Sequence, residues 1–217
     1  MSLPYWLNRS PSSTLALLFA VATTACSGGP TDTKPPVTPP PVVPVVYVPG
    51  QSYLGRNGYV EYIAGNAPVI LTAPHGGSLT PSSIPDRTAS ACGGSATTVT
   101  DGNTLELVRT MQARYAARFG KYPHVVISHL SRRKLDPNRL QPEAGCGNAE
   151  AAQALTEWHA FIDVAKSAVL KAHGKGWYMD MHGHGHAVPR LELGYLLSAT
   201  QLDGTDASLD ASSALEN

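Results

Sequence analysis

The feature that most constrains this chain is an alternation of two apolar periods between residues 59 and 197. The stretches 59–63 (YVEYI), 69–73 (VILTA), 125–129 (VVISH) and 177–181 (WYMDM) are short and rich in β-branched and aromatic residues, as strands are. The stretch 101–119 instead places Leu105, Val108, Met111, Tyr115 and Phe119 at spacings of three and four, which predicts a helix. Asp101 stands where a cap is needed and Gly120 where the helix must end. A longer helix is expected over 149–173, with Leu155, Trp158, Ile162, Ala165 and Val169 on one face, and a last strand over 191–197. Strands alternating with helices imply βαβ units. The expected fold is therefore α/β in three layers, a largely parallel or mixed sheet with helices on both faces.

Upstream of this pattern the chain changes character twice. Residues 1–26 carry Arg9 in a positive n-region, an apolar run over 15–22, and small residues leading into Cys26. Eight apolar residues cannot span a hydrocarbon layer of ~30 Å, which needs about 20 in a helix. The segment is thus expected to direct export. The run Thr23-Thr24-Ala25-Cys26 resembles the lipobox of bacterial lipoproteins, in which the cysteine becomes a lipidated first residue and a membrane anchor. The alternative is an ordinary secretory signal cleaved near Ala25. Either one places the protein in the bacterial periplasm or cell envelope. Residues 27–50 are dense in proline and favour extended polyproline II, as a semi-rigid spacer or a plain tail. The folded domain is expected over 51–217. The chain stops soon after the last expected strand with no clear closing element, so part of the domain is expected to lie beyond it.

Charge and cysteine content narrow the function. Lys and Arg number 16 and Asp and Glu 16, a formal net charge of zero, which excludes a basic nucleic-acid platform. With Cys26 assigned to the signal boundary, Cys92 and Cys146 remain, and in an oxidising compartment they are expected to pair. The competing role, a thiolate zinc ligand, lacks the usual close cysteine spacing.

Open α/β sheets bind ligands beyond the carboxyl ends of their strands. Three strands here deliver their most polar residues there: Pro74-His75-Gly-Gly77, the segment SRRKLDPNR over 131–139, and His182-Gly-His-Gly-His186. His75 and His182 are the best-placed metal ligands, each following a strand and followed by glycine. A catalytic zinc takes three protein ligands and keeps one position open, so the third is expected to be a carboxylate. Asp101 is the choice, with Asp86 and Glu106 as competitors and a simple helix cap as its other role. Arg132, Arg133, Lys134 and Arg139 form the densest positive cluster. The guanidinium forks of the three arginines suit a substrate carboxylate or a developing oxyanion, while a solvated basic loop is the plainer reading. The histidine run also admits a rival function, a non-catalytic metal- or ligand-binding lipoprotein that uses residues 182–186 as a scavenging tract.

Taken together, Pro74-His75-Gly-Gly, Asp101-Gly-Asn-Thr, Ser131 to Arg139 and Asp180-Met-His182-Gly resemble the N-formylglutamate amidohydrolase family. That family is similar in fold to the zinc carboxypeptidases, whose Asp-Leu-Asn-Arg segment resembles Asp136-Pro-Asn138-Arg139. The resemblance covers roughly residues 68–197. It implies a one-zinc hydrolase that cleaves an amide in an N-acyl amino acid or peptide carrying a carboxylate. His75 and His182 would be ligands, and Asn138 with Arg139 would hold the substrate carboxylate or polarise its carbonyl. The carboxypeptidase H-x-x-E pattern is missing, since Ser78 stands where its Glu would be, so the carboxylate ligand must come from elsewhere. Such an enzyme also needs a general base. Glu192, between Leu191 and Leu193 on the last expected strand, is the candidate, with a solvent-facing position on an edge strand as the alternative.

Overall fold

A computed structural model describes residues 45–212, apart from 95, 189 and 195–197. The export signal, Cys26 and residues 27–44 of the proline-rich segment lie outside the described residues. The domain contains β1 (Ser52–Leu54), β2 (Val60–Ile63), β3 (Val69–Ala73), α1 (Thr104–Phe119), β4 (His124–Ser128), α2 (Ala149–His173) and β5 (Trp177–Asp180). Two short helices follow, α3 (Ala199–Leu202) and α4 (Asp206–Ser212).

The five strands form one sheet in the order β1-β2-β4-β3-β5. β3 runs parallel to both β4 and β5, whereas β2 is antiparallel to β4 and to β1. The sheet is therefore mixed. Side chains alternate across a strand, and the apolar ones separate into two cores. Leu71, Ala73, Val125 and Ile127 pack with Val108, Leu105 and Met111 of α1. Ile70, Val126, Val60 and Tyr62 pack with Leu155, Trp158, Ile162 and Val169 of α2. The helices thus cover opposite faces. That double burial explains why the central strands read as continuous apolar runs instead of alternating with polar residues.

Local sequence sets the helix ends. Asn148 accepts the Ala151 N–H at 3.0 Å and so caps α2. Gly120 ends α1 in the left-handed region, at φ 66°. The start of α1 differs from expectation. Asn103, not Asp101, is the N-cap, and Asp101 lies one turn earlier with its carboxylate free for other partners.

Two further expectations need correction. Residues 191–194 pair with no strand among the described residues and are exposed, with Leu191 and Leu193 outside either core, while 195–197 lie outside the described residues. The packed chain also begins before Gln51. Tyr47 sits edge-on to Tyr53 and Tyr62, at 4.8 and 5.1 Å, and the Gly50 N–H donates to Ala64 O at 2.8 Å.

Two long loops, 74–103 and 129–148, leave β3 and β4 at the same edge, and they are laced together. Cys92 and Cys146 form a disulfide, with Cα atoms 4.4 Å apart. Arg87 is buried and donates to the carbonyls of Glu143, Thr97 and Arg132. Lys134 donates to Ile84 O at 2.6 Å and pairs with Asp86, which also binds Arg133. Half of the basic cluster is therefore spent on holding the loops.

Candidate metal centre

Because β3, β4 and β5 are parallel, their carboxyl ends lie at one edge, and Thr72 of β3 is in register with Asp180 of β5. His75 and His182 each lie two residues beyond those strands. The close seating of the first loop depends on Gly76 and Gly77. A Cβ at Gly77 would collide with the backbone of His129 and Leu130, and one at Gly76 with Thr104 and Leu105. These glycines thus admit the protein's own backbone. Asp101 is drawn in by its main chain, its N–H donating to His75 O at 3.0 Å and its carbonyl accepting the Thr104 hydroxyl at 2.9 Å.

The result is a triangle of ligand atoms. His75 Nδ1 and His182 Nδ1 are 3.2 Å apart, His182 Nδ1 and Asp101 Oδ2 3.0 Å, and His75 Nδ1 and Asp101 Oδ2 3.5 Å. Ligands ~2.0–2.1 Å from a tetrahedral zinc are about 3.3 Å from one another, so the three atoms match one face of such a site. His75 and Asp101 are buried while His182 is 42% exposed, which leaves the solvent side for a fourth ligand.

Both imidazoles are braced from behind. His75 Nε2 donates to Asp136 Oδ1 at 2.7 Å, and His182 Nε2 lies 3.0 Å from Asp180 Oδ2. A carboxylate on the far nitrogen fixes the tautomer and turns the Nδ1 lone pair toward the ion. Asp180 is in turn held by the Thr72 hydroxyl at 2.6 Å and by Asn138 Nδ2 at 2.7 Å. Burial alone would raise the Asp136 pKa, yet the His75 hydrogen bond and Arg132 hold it well below the usual carboxylate range. It therefore acts as an anion behind His75. The His182 pKa is raised to about 9, chiefly by its hydrogen bond to Asp180 and then by Asp101, against the opposing effect of burial.

The predicted residues fall into distinct places. His75, Asp101 and His182 come together. Arg132 reaches both Asp136 (Nε to Oδ2, 3.0 Å) and Asp101 (Nη1 to Oδ1, 3.6 Å), so it positions the anions around the site. Asn138 contacts Asp180 and His182 Nε2. Arg139 is half exposed, 3.9 Å from Asp136 and 3.6 Å from Glu143. The competitors for third ligand lie elsewhere: Asp86 is committed to Arg133 and Lys134, and Glu106 sits in the first turn of α1 outside the triad.

Glu192 is not seated as expected. Without a strand to carry it, its carboxylate bonds to Arg190 and His186, which together lower its pKa to about 2. A carboxylate that acidic is a weak base at neutral pH. The histidine run is also divided, since His182 turns into the triad while His184 and His186 join Glu192 in a separate exposed group. Two residues escaped the sequence reading. Asp136 carried a usable signal, a carboxylate within a cationic strand-end segment, whereas Arg87 lies in a loop with no pattern to single it out. Among the described residues no helix is long and apolar enough to cross a membrane. A scan against family models and searches of curated proteins and of solved structures give no match to this chain.

Proposed function

We propose that the protein is an exported zinc-dependent hydrolase that cleaves an amide in an N-acyl amino acid or peptide bearing a carboxylate. One observation carries the reading: two braced Nδ1 atoms and one carboxylate oxygen form a triangle with edges of 3.0 to 3.5 Å, open to solvent on the His182 side. Structural zinc sites use four protein ligands, whereas catalytic ones use three and leave a position for water or substrate. His₂-carboxylate is such a set. The resemblance to the N-formylglutamate amidohydrolases and zinc carboxypeptidases points to the same chemistry and to a carboxypeptidase-like sheet.

Bound zinc supplies Lewis acidity and brings the pKa of water toward about 7. The chain's own residues do the rest. His75, His182 and Asp101 would hold the ion, while Asp136 and Asp180, each on the far nitrogen of its histidine, orient the two rings so that Nδ1 faces it. Arg139, half exposed beside Asp136, is the group that meets a substrate carboxylate, and Arg132 keeps Asp101 and Asp136 in place. The Cys92–Cys146 disulfide supports an oxidising location, in keeping with an export signal and lipidation at Cys26.

The test combines two measurements on the full chain: zinc content by elemental analysis, and hydrolysis of a panel of N-acyl amino acids and short peptides. Wild type is expected to hold zinc at the triad and to release amine from substrates with a free carboxylate. His75→Ala should lose that zinc together with the activity. Zinc at the triad without hydrolysis of any panel member would overturn the enzymatic reading.

A further inference from the structure

Beyond His182, residues 184, 186 and 192 gather a second set of ligand atoms. His184, His186 and Glu192 each offer one, all within 4.8 Å of one another. His186 Nδ1 and Glu192 Oε1 are 2.8 Å apart, and the rings of His184 and His186 face each other at a centroid distance of 4.8 Å. His184 Nε2 donates to the Arg190 carbonyl at 2.7 Å. That bond leaves Nδ1 as the lone pair, and a backbone carbonyl on the far nitrogen is a common brace for a metal-bound histidine. The His186 N–H approaches this Nδ1 at 3.3 Å, a long contact for an ion to displace.

We propose that His184, His186 and Glu192 form a second divalent-metal site, distinct from the His75–Asp101–His182 triad. Two imidazoles and a carboxylate suit borderline ions such as Zn²⁺ and Cu²⁺. The two groups share no residue. They also differ in setting: the triad has two buried members, whereas all three residues of the second group are exposed, so its ion exchanges freely and binds more weakly. A built-in competitor weakens it further. Arg190 Nε lies 2.8 Å from Glu192 Oε1, and an incoming cation has to displace that guanidinium from the carboxylate. Residues 184 and 186 therefore act with the returning Glu192 as a defined site. A flexible histidine tract would have no use for Glu192.

The test is a calorimetric titration of the metal-depleted full chain with Zn²⁺, paired with Cu²⁺ electron paramagnetic resonance to count coordinated nitrogens. Wild type should bind two equivalents of different affinity. The double variant His184→Ala/His186→Ala should lose only the weaker one, and His75→Ala only the tighter one. Arg190→Gln removes the competing charge but keeps the bracing carbonyl, so it should tighten the weaker equivalent several-fold. Copper at this equivalent should show two nitrogen couplings, reduced to one in either single histidine variant. Binding left unchanged by the double variant, whether one equivalent or two, would overturn the second site. Failure of the triad reads out separately, as no change in the tighter equivalent in His75→Ala. Near-ultraviolet circular dichroism checks the fold of each variant.

Discussion

Asp136 Oδ1 accepts a 2.7 Å hydrogen bond from His75 Nε2, and both side chains are almost wholly buried. A buried carboxylate joined to one ligand, with Arg132 on its other oxygen, governs how that ligand presents its lone pair. Asp136→Asn keeps the shape but removes the charge. It should weaken zinc binding at the triad about 10- to 100-fold, the usual cost of losing a bracing partner. Competition with a chromogenic chelator measures this directly. Unchanged affinity would show that His75 is oriented without it.

His182 sets a pH dependence with opposite signs for stability and for metal binding. Its pKa is raised from 6.5 to about 9 by Asp180 and Asp101. A raised pKa means that the protonated form stabilises the metal-free fold below the unfolded value, and that this stabilisation fades as pH rises from about 6.5 through 9. Metal requires the deprotonated ring, so apparent zinc affinity should climb about tenfold per pH unit over the same window. Thermal melts with and without zinc between pH 6 and 9.5 should therefore diverge. His182→Gln should flatten the metal-free curve.

The disulfide closes a sequence separation of 54 residues. Loop-closure entropy for that length corresponds to about 4 kcal/mol of stability. Cys92→Ser/Cys146→Ser should lower the denaturant midpoint by a corresponding amount. It should also weaken zinc binding, because the stapled loops carry Asp136, Arg132 and Asp101. Equal midpoints under oxidising and reducing conditions would refute this coupling.

Trp158 belongs to the same buried cluster as Val60 and Val126 and is 1% exposed. Trp158→Ala should cost about 3–5 kcal/mol. No triad residue belongs to this core, so zinc stoichiometry should survive in the fraction that folds. Urea denaturation and metal analysis on the same samples separate the two effects.

Legibility in the sequence followed the strength of local pattern. The helix Ala149–His173 and the strand Val69–Ala73 could be read off directly, because long apolar faces and runs of β-branched residues leave little competition. β1 could not, since three residues of an edge strand carry no period, and its antiparallel pairing with β2 went unseen with it. The meeting of His75 and His182 was legible from parallel strand ends, which topology forces to one edge, whereas Asp101 comes from the loop before α1 and was one choice among three carboxylates. The supporting network was less legible. Asp136 and Arg87 act through contacts across two loops, and no periodicity records which loop faces which. Glu192 misled for a related reason: Leu191 and Leu193 suggest alternation, but both are exposed where no strand pairs with them.

The triad's two histidines stand 107 positions apart in the chain. In the unfolded state those imidazoles and Asp101 are scattered, so an ion that needs all three recognises only the folded protein. Its free concentration then becomes a thermostat for survival. At one hundred times the dissociation constant it adds about 2.7 kcal/mol to the folding equilibrium, and its withdrawal by a chelator returns that amount to the unfolded chain. With zinc as the proposed ion, the lifetime of this protein would be tied to the zinc supply around it.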